Sequence, residues 1–575
     1  MKINKIRKEV KLFCTILFCA ILVVSTSCEN FLEEDDVPRL TNDYYKTKQG
    51  ILSGIDATYS YMRKQVGSEM TNVLTELGTD LMTGAAGTLS YPYNLYSATL
   101  SASDSKIYAF WENCYRAISV TNQVLAALPN VELEKGEYEL YSAELKFLRS
   151  FYYFDLVQHF GRIPLVLEAV SEPKTDFKRA SVADVYKQII TDLSYAVEHL
   201  RETASGDEHG KATKYSAAHL LAKVYLTRGS AVNDERGQQA TDMDSTFYYA
   251  KQVVIDNHKY ELVDNFADLW DFYNQGNSEI IFSVQFTQDK IYNAEGNLAH
   301  LYWCSVYDDI PGMQRDVANG RPYKFHRPTN KTMFELYDRQ NDSRFYKSFK
   351  WVFYCNKPTN TLALGDTAIY YSLNPKKNRE YKYTYFQWNK ENPNDDNLHY
   401  PHLIKYMDPE REEKNTTQGS REWVRMRLGE TYLIAAEAAG RKGDYATAAD
   451  LINVIRQRAA WKDGETKIAQ YWLEEGGAMN DTKSTYDKIK VTASDLQNNF
   501  VDFILDERGR ELLGEYNRWE DLVRCEKLIE YVRKWNPDAK DNIQEYHKLR
   551  PIPQKHIDRL NPRRDDSEEQ NPGYF

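Results

Sequence analysis

Three carboxylates near the C-terminal end of the chain have a spacing that suits catalysis. Glu507, Glu511 and Glu515 are four residues apart, so a helix would place all three on one face. Two carboxylates on one face can act as the acid and the base of a glycoside hydrolase. Four arginines are interleaved with them, namely Arg508, Arg510, Arg518 and Arg524. Opposite charges about one helical turn apart favour structural ion pairs that tie the helix to its neighbours.

Other common catalytic signatures are missing from the sequence. It contains no G-x-S-x-G elbow, no H-E-x-x-H pair and no Walker loop. We therefore predict that the protein is not an enzyme. An anchored glycoside hydrolase is the less favoured alternative, and it requires turnover that is lost on Glu→Gln changes.

The sequence does not indicate a metal or another cofactor. The cysteines beyond the N-terminal segment are Cys114, Cys304, Cys355 and Cys525. They are scattered without a C-x-x-C pair, which argues against zinc and favours four separately buried thiols, although one disulfide is compatible with an oxidising compartment. The acidic pairs at 308–309 and 395–396 match no calcium-loop spacing.

Aromatic residues and acidic charge dominate the composition. The chain has 43 Tyr, 10 Trp and 23 Phe, and its formal net charge is −11. Tyr and Trp combine an apolar face with a polar edge, which matches the C–H face and hydroxyl rim of a sugar ring. Most of the tyrosines are nevertheless expected to pack between helices. The acidic charge argues against nucleic acid as a partner.

The N-terminus resembles a lipoprotein export signal. Five basic residues precede an apolar run of 13 residues at 12–24, which is too short to span a bilayer. Small residues then lead to Cys28, as in a bacterial lipobox, so we predict a signal peptide at 1–27 and a diacylated Cys28. Removing the signal peptide takes away five basic residues and Glu9, which leaves a net charge of about −15.

An acidic tether follows the predicted lipid anchor, within residues 28–45. The cluster E-E-D-D at 33–36 resembles the surface-export signal of Bacteroidetes lipoproteins. This resemblance implies a location on the outer face of the outer membrane.

Apolar residues at helical spacing predict the elements that must position any site. We expect helices at 111–128, 141–160, 181–200 and 213–226, the first two forming an αα-hairpin. Residues 428–459 resemble a tetratricopeptide repeat with a turn at 443–445. A last helix is expected from about 494 to 529, with Ser494 and Gln497 as a capping box.

A different region separates these helices, at about 267–421. It is rich in Asn, Asp, Gly, Pro and aromatic residues, and only 279–284 reads as a strand. Loops on a rigid scaffold commonly carry binding function. We therefore divide the chain beyond residue 45 into an N-terminal helical part at 46–265, a loop-rich insertion at 266–421 and a C-terminal part at 422–575.

Six segments together resemble the SusD/RagB family of outer-membrane nutrient-binding lipoproteins. They are ELKFLRSFYYFD at 144–155 with FGRIPLV at 160–166, RLGETYLIAAEA at 427–438, NVIRQRA at 453–459, ERGRELLGEYNRWEDLVR at 507–524, LRPIP at 549–553 and QNPGY at 570–574. Each segment is weak evidence alone, but they follow the order of the family and extend over almost the whole chain beyond Cys28.

The resemblance implies an all-α fold, in which tetratricopeptide-type helix pairs support irregular insertions and a few short strands. It also implies a role without catalysis. Such a lipoprotein caps a SusC-like TonB-dependent transporter in the outer membrane and delivers glycans to it. Capture of peptides is the alternative within the same architecture, and a purely structural tetratricopeptide adaptor is a further one.

Proteins of this family place ligand contacts before the first long helix and in the central insertion. In the first segment Asp80 can accept hydrogen bonds from hydroxyl groups. Tyr91, Tyr93 and Tyr96 can supply faces for stacking on a sugar ring.

The central insertion provides the second set of expected ligand contacts. The residues selected there are Trp303, Tyr307, Arg321 and Tyr323. Trp303 is the preferred platform because an indole has the broadest face, and an arginine offers a rigid fork of donors to vicinal hydroxyls. These choices follow from chemistry and approximate position, since the insertions of the family vary too much for transfer by residue.

Overall fold

The structure is a computed structural model that describes residues 44–574 except 171, 173, 379 and 475–480. Cys28, the predicted signal peptide and the acidic cluster at 33–36 lie outside these residues. Among the residues described, no helix has the length and apolarity that crossing a membrane requires.

Helices form most of the regular structure. The α-helices are α1 (Lys48–Gly67), α2 (Glu69–Thr75), α3 (Pro92–Leu95), α4 (Ser105–Ala127), α5 (Glu137–Phe160), α6 (Val182–His199), α7 (Lys214–Gly229), α8 (Asp242–Phe247), α9 (Phe266–Leu269), α10 (Lys290–Asn293), α11 (Ala299–Tyr302), α12 (Arg344–Ser348), α13 (Leu428–Arg441), α14 (Tyr445–Ala459), α15 (Ala469–Glu474), α16 (Tyr486–Ile489), α17 (Ala493–Leu496), α18 (Phe500–Glu511), α19 (Arg518–Arg524), α20 (Leu528–Trp535), α21 (Gln554–Ile557) and α22 (Asp566–Glu569). The π-helical segments are Tyr248–Ile255 and Lys331–Glu335. Short 3₁₀ turns connect other elements at Tyr44–Lys46, Leu128–Asn130, Gly206–Glu208, Asp234–Arg236, Phe272–Asn274 and Glu545–Lys548.

The strands are short and pair into small sheets. They are β1 (Met82–Gly84), β2 (Ile163–Pro164), β3 (Arg179–Ala180), β4 (Ile280–Val284), β5 (His326–Pro328), β6 (Phe349–Lys350), β7 (Val352–Tyr354), β8 (Thr367–Ser372), β9 (Thr384–Gln387), β10 (His402–Leu403) and β11 (Trp423–Arg427). The pairs β1–β5, β2–β3, β4–β11 and β6–β10 are antiparallel. In the three-stranded sheet β8 pairs with β7 antiparallel and with β9 parallel.

The predicted αα-hairpin is present, and its helices are longer than the sequence pattern indicates. Asp104 caps α4 by accepting hydrogen bonds from the backbone N–H groups of Lys106 and Ile107. Helix α5 ends where Gly161 takes a φ of +66°, a conformation that favours glycine. The two helices pack antiparallel and bury Trp111 and Phe160 against each other.

Two further pairs of helices are found where the sequence predicts helices. Ser181 and Thr213 cap α6 and α7 with side-chain hydrogen bonds to backbone N–H groups. In the tetratricopeptide-like pair of α13 and α14, Gly443 turns the chain with a φ of +85° and Asp444 caps α14. Ala448 is buried where the two helices meet, because a small side chain allows their close approach.

The predicted last helix is not continuous. Residues 493–535 form four helices, α17 to α20. The last two of the three breaks lie where Gly514, Tyr516 and Glu526 take positive φ values, and the first lies before Phe500, where Asn499 has a φ of −153°. The capping box at its start uses Thr492 and Asp495 instead of Ser494 and Gln497. Apolar periodicity alone does not reveal such breaks, since the periodic residues continue through the turns.

The central region is irregular, as predicted. Its longest described element is β8, with six residues, and the predicted strand at 279–284 is β4, paired with β11. One hydrophobic core extends from Met62 to Ile557 and includes residues of all three predicted parts. The fold is therefore all-α with irregular insertions and a few short strands.

Candidate functional site

Asp80 lies in the core and forms an ion pair there. Arg518 donates hydrogen bonds from Nε and Nη2 to its two carboxylate oxygens, at 2.7 and 2.6 Å, and Nζ of Lys331 is 3.1 Å away. Burial raises the pKa of Asp80, but the two cations outweigh it and hold the pKa below the ordinary value of 3.8. Because no surface of Asp80 is exposed, it does not offer an acceptor to a ligand.

Trp303, the preferred platform, is also a core residue. Only 1% of its surface is exposed, and its ring lies 4.5 Å from that of His326 and 6.1 Å from that of Tyr406. The indole therefore has no free face for a sugar, and the prediction for this residue is corrected. The mistake arises because a tryptophan in a loop-rich sequence can still pack inward between distant segments.

Three of the predicted tyrosines are buried as well. Tyr307 donates a hydrogen bond to the carbonyl of Gly320 at 2.7 Å. Tyr93 donates to the Asp104 carboxylate that caps α4, and the ring of Tyr96 packs at 5.0 Å on His547. These tyrosines hold loops in place and do not present stacking faces to solvent.

The remaining predicted residues meet at one place on the surface. Tyr91 and Tyr323 are half-buried, and Phe325 lies between them with ring centroids at 6.0 and 5.9 Å. Behind Phe325, the buried ring of Tyr302 stacks on it at 5.0 Å. We refer to Tyr91, Phe325 and Tyr323 as the aromatic surface.

Backbone hydrogen bonds fix the aromatic surface between two distant segments. The N–H groups of Tyr323 and Phe325 donate to the carbonyls of Leu301 and Tyr302, at 3.2 and 3.0 Å. On the other side, the N–H groups of Ala85 and Gly87 donate to carbonyls within 323–325, at 3.1 and 2.8 Å. A Cβ atom at Gly87 would lie 2.3 Å from the Tyr323 carbonyl oxygen, so only glycine allows this approach.

Charged groups lie at both ends of the aromatic surface. The guanidinium of Arg321 is 5.4 Å from the ring centroid of Tyr323, and its Nη1 donates to the Asn415 carbonyl at 2.6 Å. At the other end, Nζ of Lys106 is 4.8 Å from the Tyr91 ring and 3.0 Å from the Glu69 carboxylate. Burial lowers the pKa of Lys106, but Glu69 outweighs it and raises the pKa above its ordinary value.

Tyr91, Arg321 and Tyr323 come from the two segments that the sequence selected, and the structure brings them together; the sequence did not select Phe325 or Lys106. One signal for Phe325 was available. Phe325 is only two residues from Tyr323, although the backbone between them is not extended, since Lys324 has a φ of +59°. For Lys106 no signal existed, since its position depends on how α4 packs against the loop at 85–96.

The three carboxylates near the C-terminus are structural, as predicted. Glu511 is fully buried and accepts hydrogen bonds from Arg344 at 2.8 Å and Arg427 at 2.7 Å, and it also pairs with Arg458. Burial raises the pKa of Glu511, but these arginines outweigh it and hold the pKa far below its ordinary value. A carboxyl group that stays ionised and enclosed cannot serve as a general acid.

The neighbouring carboxylates are paired in the same way. Glu507 contacts Arg344, Arg456 and Arg510, and Glu515 contacts Lys405 and Arg427. The other interleaved arginines pair with different carboxylates: Arg508 with Glu430 and Asp521, Arg518 with Asp80, and Arg524 with Glu437.

Metal-binding geometry is not found in the described part of the chain, where no three His, Cys, Asp or Glu side chains converge. The cysteines Cys114, Cys304, Cys355 and Cys525 are buried free thiols, as predicted.

Comparison with known proteins agrees with the architecture. A SusD_RagB family model, described as the SusD family, matches residues 256–574, and a SusD-like family model described as "starch-binding associating with outer membrane" matches residues 41–226. A SusD-like protein of Formosa agariphila is 24% identical over 97% of this chain and 99% of its own length.

Two solved structures have the same fold. A laminarin-binding SusD-like protein superposes with a TM-score of 0.64 and 22% identity, over 92% of this chain and 100% of its own. The surface glycan-binding protein A of Bacteroides fluxus gives a TM-score of 0.64 at 20% identity, over 92% and 99%. The motifs, the helical scaffold and the extent of the family-model match together show that this chain belongs to the SusD family.

Proposed function

We propose that this chain is a cell-surface glycan-binding lipoprotein that captures oligosaccharides or polysaccharides and delivers them to a partner TonB-dependent transporter. The observation that carries the proposal is the half-exposed aromatic surface in a chain of the SusD family. The names of two structural neighbours, laminarin-binding and surface glycan-binding, support a carbohydrate as the ligand class.

The aromatic surface suits a sugar because it combines open ring faces with nearby donors. Tyr91 and Tyr323 can stack on the C–H faces of successive sugar rings. Arg321 can donate to vicinal hydroxyls from the planar fork of its guanidinium. The backbone contacts at 85–88 and 301–302 hold these groups before a ligand arrives, which lowers the entropic cost of binding.

The first test is affinity electrophoresis and calorimetry against a panel of plant, host and microbial polysaccharides. For a polysaccharide that binds, Tyr323→Ala should weaken the affinity about two- to twelvefold, since one stacked ring contributes about 0.5–1.5 kcal/mol. The matched control is Tyr138→Ala, an exposed tyrosine at the start of α5 that is remote in sequence from the aromatic surface. The control should leave the affinity unchanged, and no variant should release sugar products.

Three outcomes would redirect the proposal. If Tyr323→Ala and Tyr138→Ala weaken polysaccharide binding equally, the aromatic surface is not the binding site. Binding of proteolytic peptides without any polysaccharide would make this a peptide-capturing lipoprotein. Turnover of a bound glycan would support the alternative that the protein is a glycoside hydrolase.

The lipid anchor forms a separate part of the proposal. Acylation of Cys28 would hold the chain on the membrane, since each buried CH₂ of an acyl chain contributes about 0.8 kcal/mol. In the native host, Cys28→Ala should move the protein from the outer-membrane fraction to the soluble fraction. A protease added to intact cells should degrade the wild-type protein if it faces the exterior. A membrane-bound Cys28→Ala variant would contradict the anchor.

Delivery to a transporter predicts a stable partner in the membrane. Mild detergent extraction of the tagged protein should co-purify an outer-membrane barrel of the TonB-dependent class. If the protein is recovered alone under conditions that keep other outer-membrane complexes intact, the delivery step is wrong while glycan capture stands.

A further inference from the structure

A cavity of about 630 Å³ lies along α4. None of the three residues of the aromatic surface lines it. Its volume falls in the range of about 300–1,000 Å³ that is common for small-molecule sites. Residues within 164–170, 174–177 and 556–560 form its other walls.

Aromatic residues of α4 form the floor of the cavity. Tyr108, Trp111 and Tyr115 are three and four residues apart, so they lie on one face of the helix. The Tyr115 hydroxyl donates to the Pro164 carbonyl at 2.8 Å, which fixes this ring against the opposite wall. Trp111 is largely buried, with its ring 4.8 Å from that of Tyr115. Tyr108 and Phe177 are half-buried, and a lysine lies over each ring: Nζ of Lys555 is 4.5 Å from the Tyr108 centroid and Nζ of Lys174 is 5.5 Å from that of Phe177.

The charges around the cavity are not balanced. The Glu112 carboxylate is occupied by Arg116 at 3.1 Å and by the Tyr108 hydroxyl at 2.9 Å. Lys174 and Arg559 line the cavity and are exposed, and no carboxylate of the described chain lies within ion-pair distance of either. Among the described residues, the hydrogen-bond acceptor of Arg559 is the Tyr108 hydroxyl, at 3.3 Å. The one other carboxylate in the lining, Glu168, is solvent-exposed.

A buried polar atom also remains without a partner. Nε2 of His556 is buried and accepts or donates no hydrogen bond within the described residues. Its ring lies 5.0 Å from that of Trp111 at the cavity wall. Burial lowers the pKa of His556 to about 4, so the imidazole is neutral near pH 7 and can pair with a hydroxyl group. A water or a ligand hydroxyl that enters the cavity can supply the missing hydrogen bond of this atom.

We propose that this cavity is a second sugar site and that it binds a sugar residue bearing a carboxylate or sulfate group. The ring packs beside Tyr108 and Phe177, the anionic group meets Arg559 and Lys174, and a hydroxyl reaches His556. Arg559 and Lys174 have no carboxylate partner among the described residues, so they favour an anionic ligand. This inference rests on the proposed glycan capture and adds a preference for acidic sugars.

Calorimetry with three trisaccharides tests the proposal: trigalacturonic acid, a sulfated galactose trisaccharide and the neutral galactose trisaccharide. At least one acidic ligand should bind the wild-type protein tenfold or more tightly than the neutral one, and added salt should weaken that binding. The double variant Lys174→Gln/Arg559→Gln should lose at least tenfold in affinity for the acidic ligand. The matched control, Lys135→Gln/Lys187→Gln, removes two exposed charges elsewhere and should keep the affinity.

The outcomes separate this inference from glycan capture in general. An independent second site is supported if Tyr323→Ala still binds the acidic sugar and Lys174→Gln/Arg559→Gln does not. Loss in Tyr323→Ala alone assigns the acidic sugar to the aromatic surface and overturns the proposal. The proposal is also overturned if the two double variants have equal effects on affinity, if the protein does not prefer an acidic sugar over the neutral one, or if it binds neither acidic sugar. Each of these outcomes would leave the binding of a neutral polysaccharide to the aromatic surface unaffected.

Discussion

Individual side chains of the same type have very different roles in this protein, and burial separates them. Tyr323 and Tyr307 both lie in the central insertion, but one is half-exposed and the other donates its hydroxyl to a core carbonyl. The sequence predicted that these segments carry aromatic contacts, and Tyr91, Arg321 and Tyr323 do meet. Which aromatic faces solvent depends on contacts between segments more than 200 residues apart, and a single sequence contains no direct signal for them.

Trp303 should affect stability more than ligand binding. Trp303→Ala removes a buried indole, which we expect to lower the free energy of unfolding by about 3–5 kcal/mol. Urea unfolding followed by circular dichroism measures this change, and Trp303→Phe should give a smaller loss if the alanine variant does not fold. Tyr323→Ala should show the opposite pattern, with a small loss of stability and a large loss of glycan affinity. A stable Trp303→Ala protein that no longer binds glycan would restore Trp303 as a platform.

Glu76 should make stability depend on pH in an unusual direction. It is fully buried, its Oε2 has no hydrogen-bond partner among the described atoms, and burial raises its pKa from 4.5 to about 8. The folded chain therefore holds a proton that the unfolded chain has released between these values. Its contribution to stability is fully present below pH 4.5 and is lost as the pH rises towards 8.

The variant Glu76→Gln removes this dependence. It should match the wild type in stability near pH 5 and exceed it increasingly towards pH 8, by up to about 1.4 kcal/mol per pH unit. Urea unfolding of both proteins across this pH range measures the difference. If the difference stays constant with pH, Glu76 does not titrate on folding.

At the scale of elements, the helices with strong caps and a clear apolar period were predicted well. Helices α4 to α7 and the pair α13–α14 lie where the spacing places them, because local signals such as Ser181, Thr213 and Gly443 mark their ends. The segment at 493–535 was not predicted well, because two of its three breaks use Tyr516 and Glu526 in a left-handed conformation. Such positions are rare for these residue types, so tertiary contacts must impose them.

Helix α18 gives the sharpest test between an ion-pair scaffold and a hydrolase. Glu511→Gln would leave Arg344, Arg427 and Arg458 with too little negative charge, and we expect a loss of about 3–5 kcal/mol in unfolding free energy. The control Glu530→Gln breaks an exposed pair with Lys527 and should cost less than about 1 kcal/mol. Unchanged stability combined with lost glycan turnover would contradict the structural role.

At the scale of the whole molecule, the parts predicted from the sequence share one core. His219 of α7 hydrogen-bonds Thr431 of α13 at 2.8 Å, and Lys223 pairs with Glu430 at 3.0 Å. The motif at 570–574 connects the C-terminal region to the end of α5, since Asn571 donates hydrogen bonds to the carbonyls of Phe160 and Arg550. The order of motifs indicated family membership, but only the structure shows how the chain end returns to α5.

Asn571 should therefore influence the stability of the entire protein. Asn571→Ala removes two buried hydrogen bonds and the acceptor of Arg179, which we expect to cost about 2–4 kcal/mol. Tryptophan fluorescence and circular dichroism should shift together along one urea transition, because the core is continuous. The exposed Ser567→Ala is the control and should leave the transition in place. Two separated transitions would show that the parts unfold independently.

The backbone bonds that hold Phe325 between two distant segments also have a kinetic consequence. The hydrogen bond from Thr88 to the Phe325 carbonyl closes a loop of 237 residues, whereas each helix hairpin forms from neighbouring residues. Contacts of high sequence separation form late, because the entropy of loop closure is lost before they stabilise the chain. On refolding from urea, helical circular dichroism should thus recover before the binding of any glycan that uses the aromatic surface.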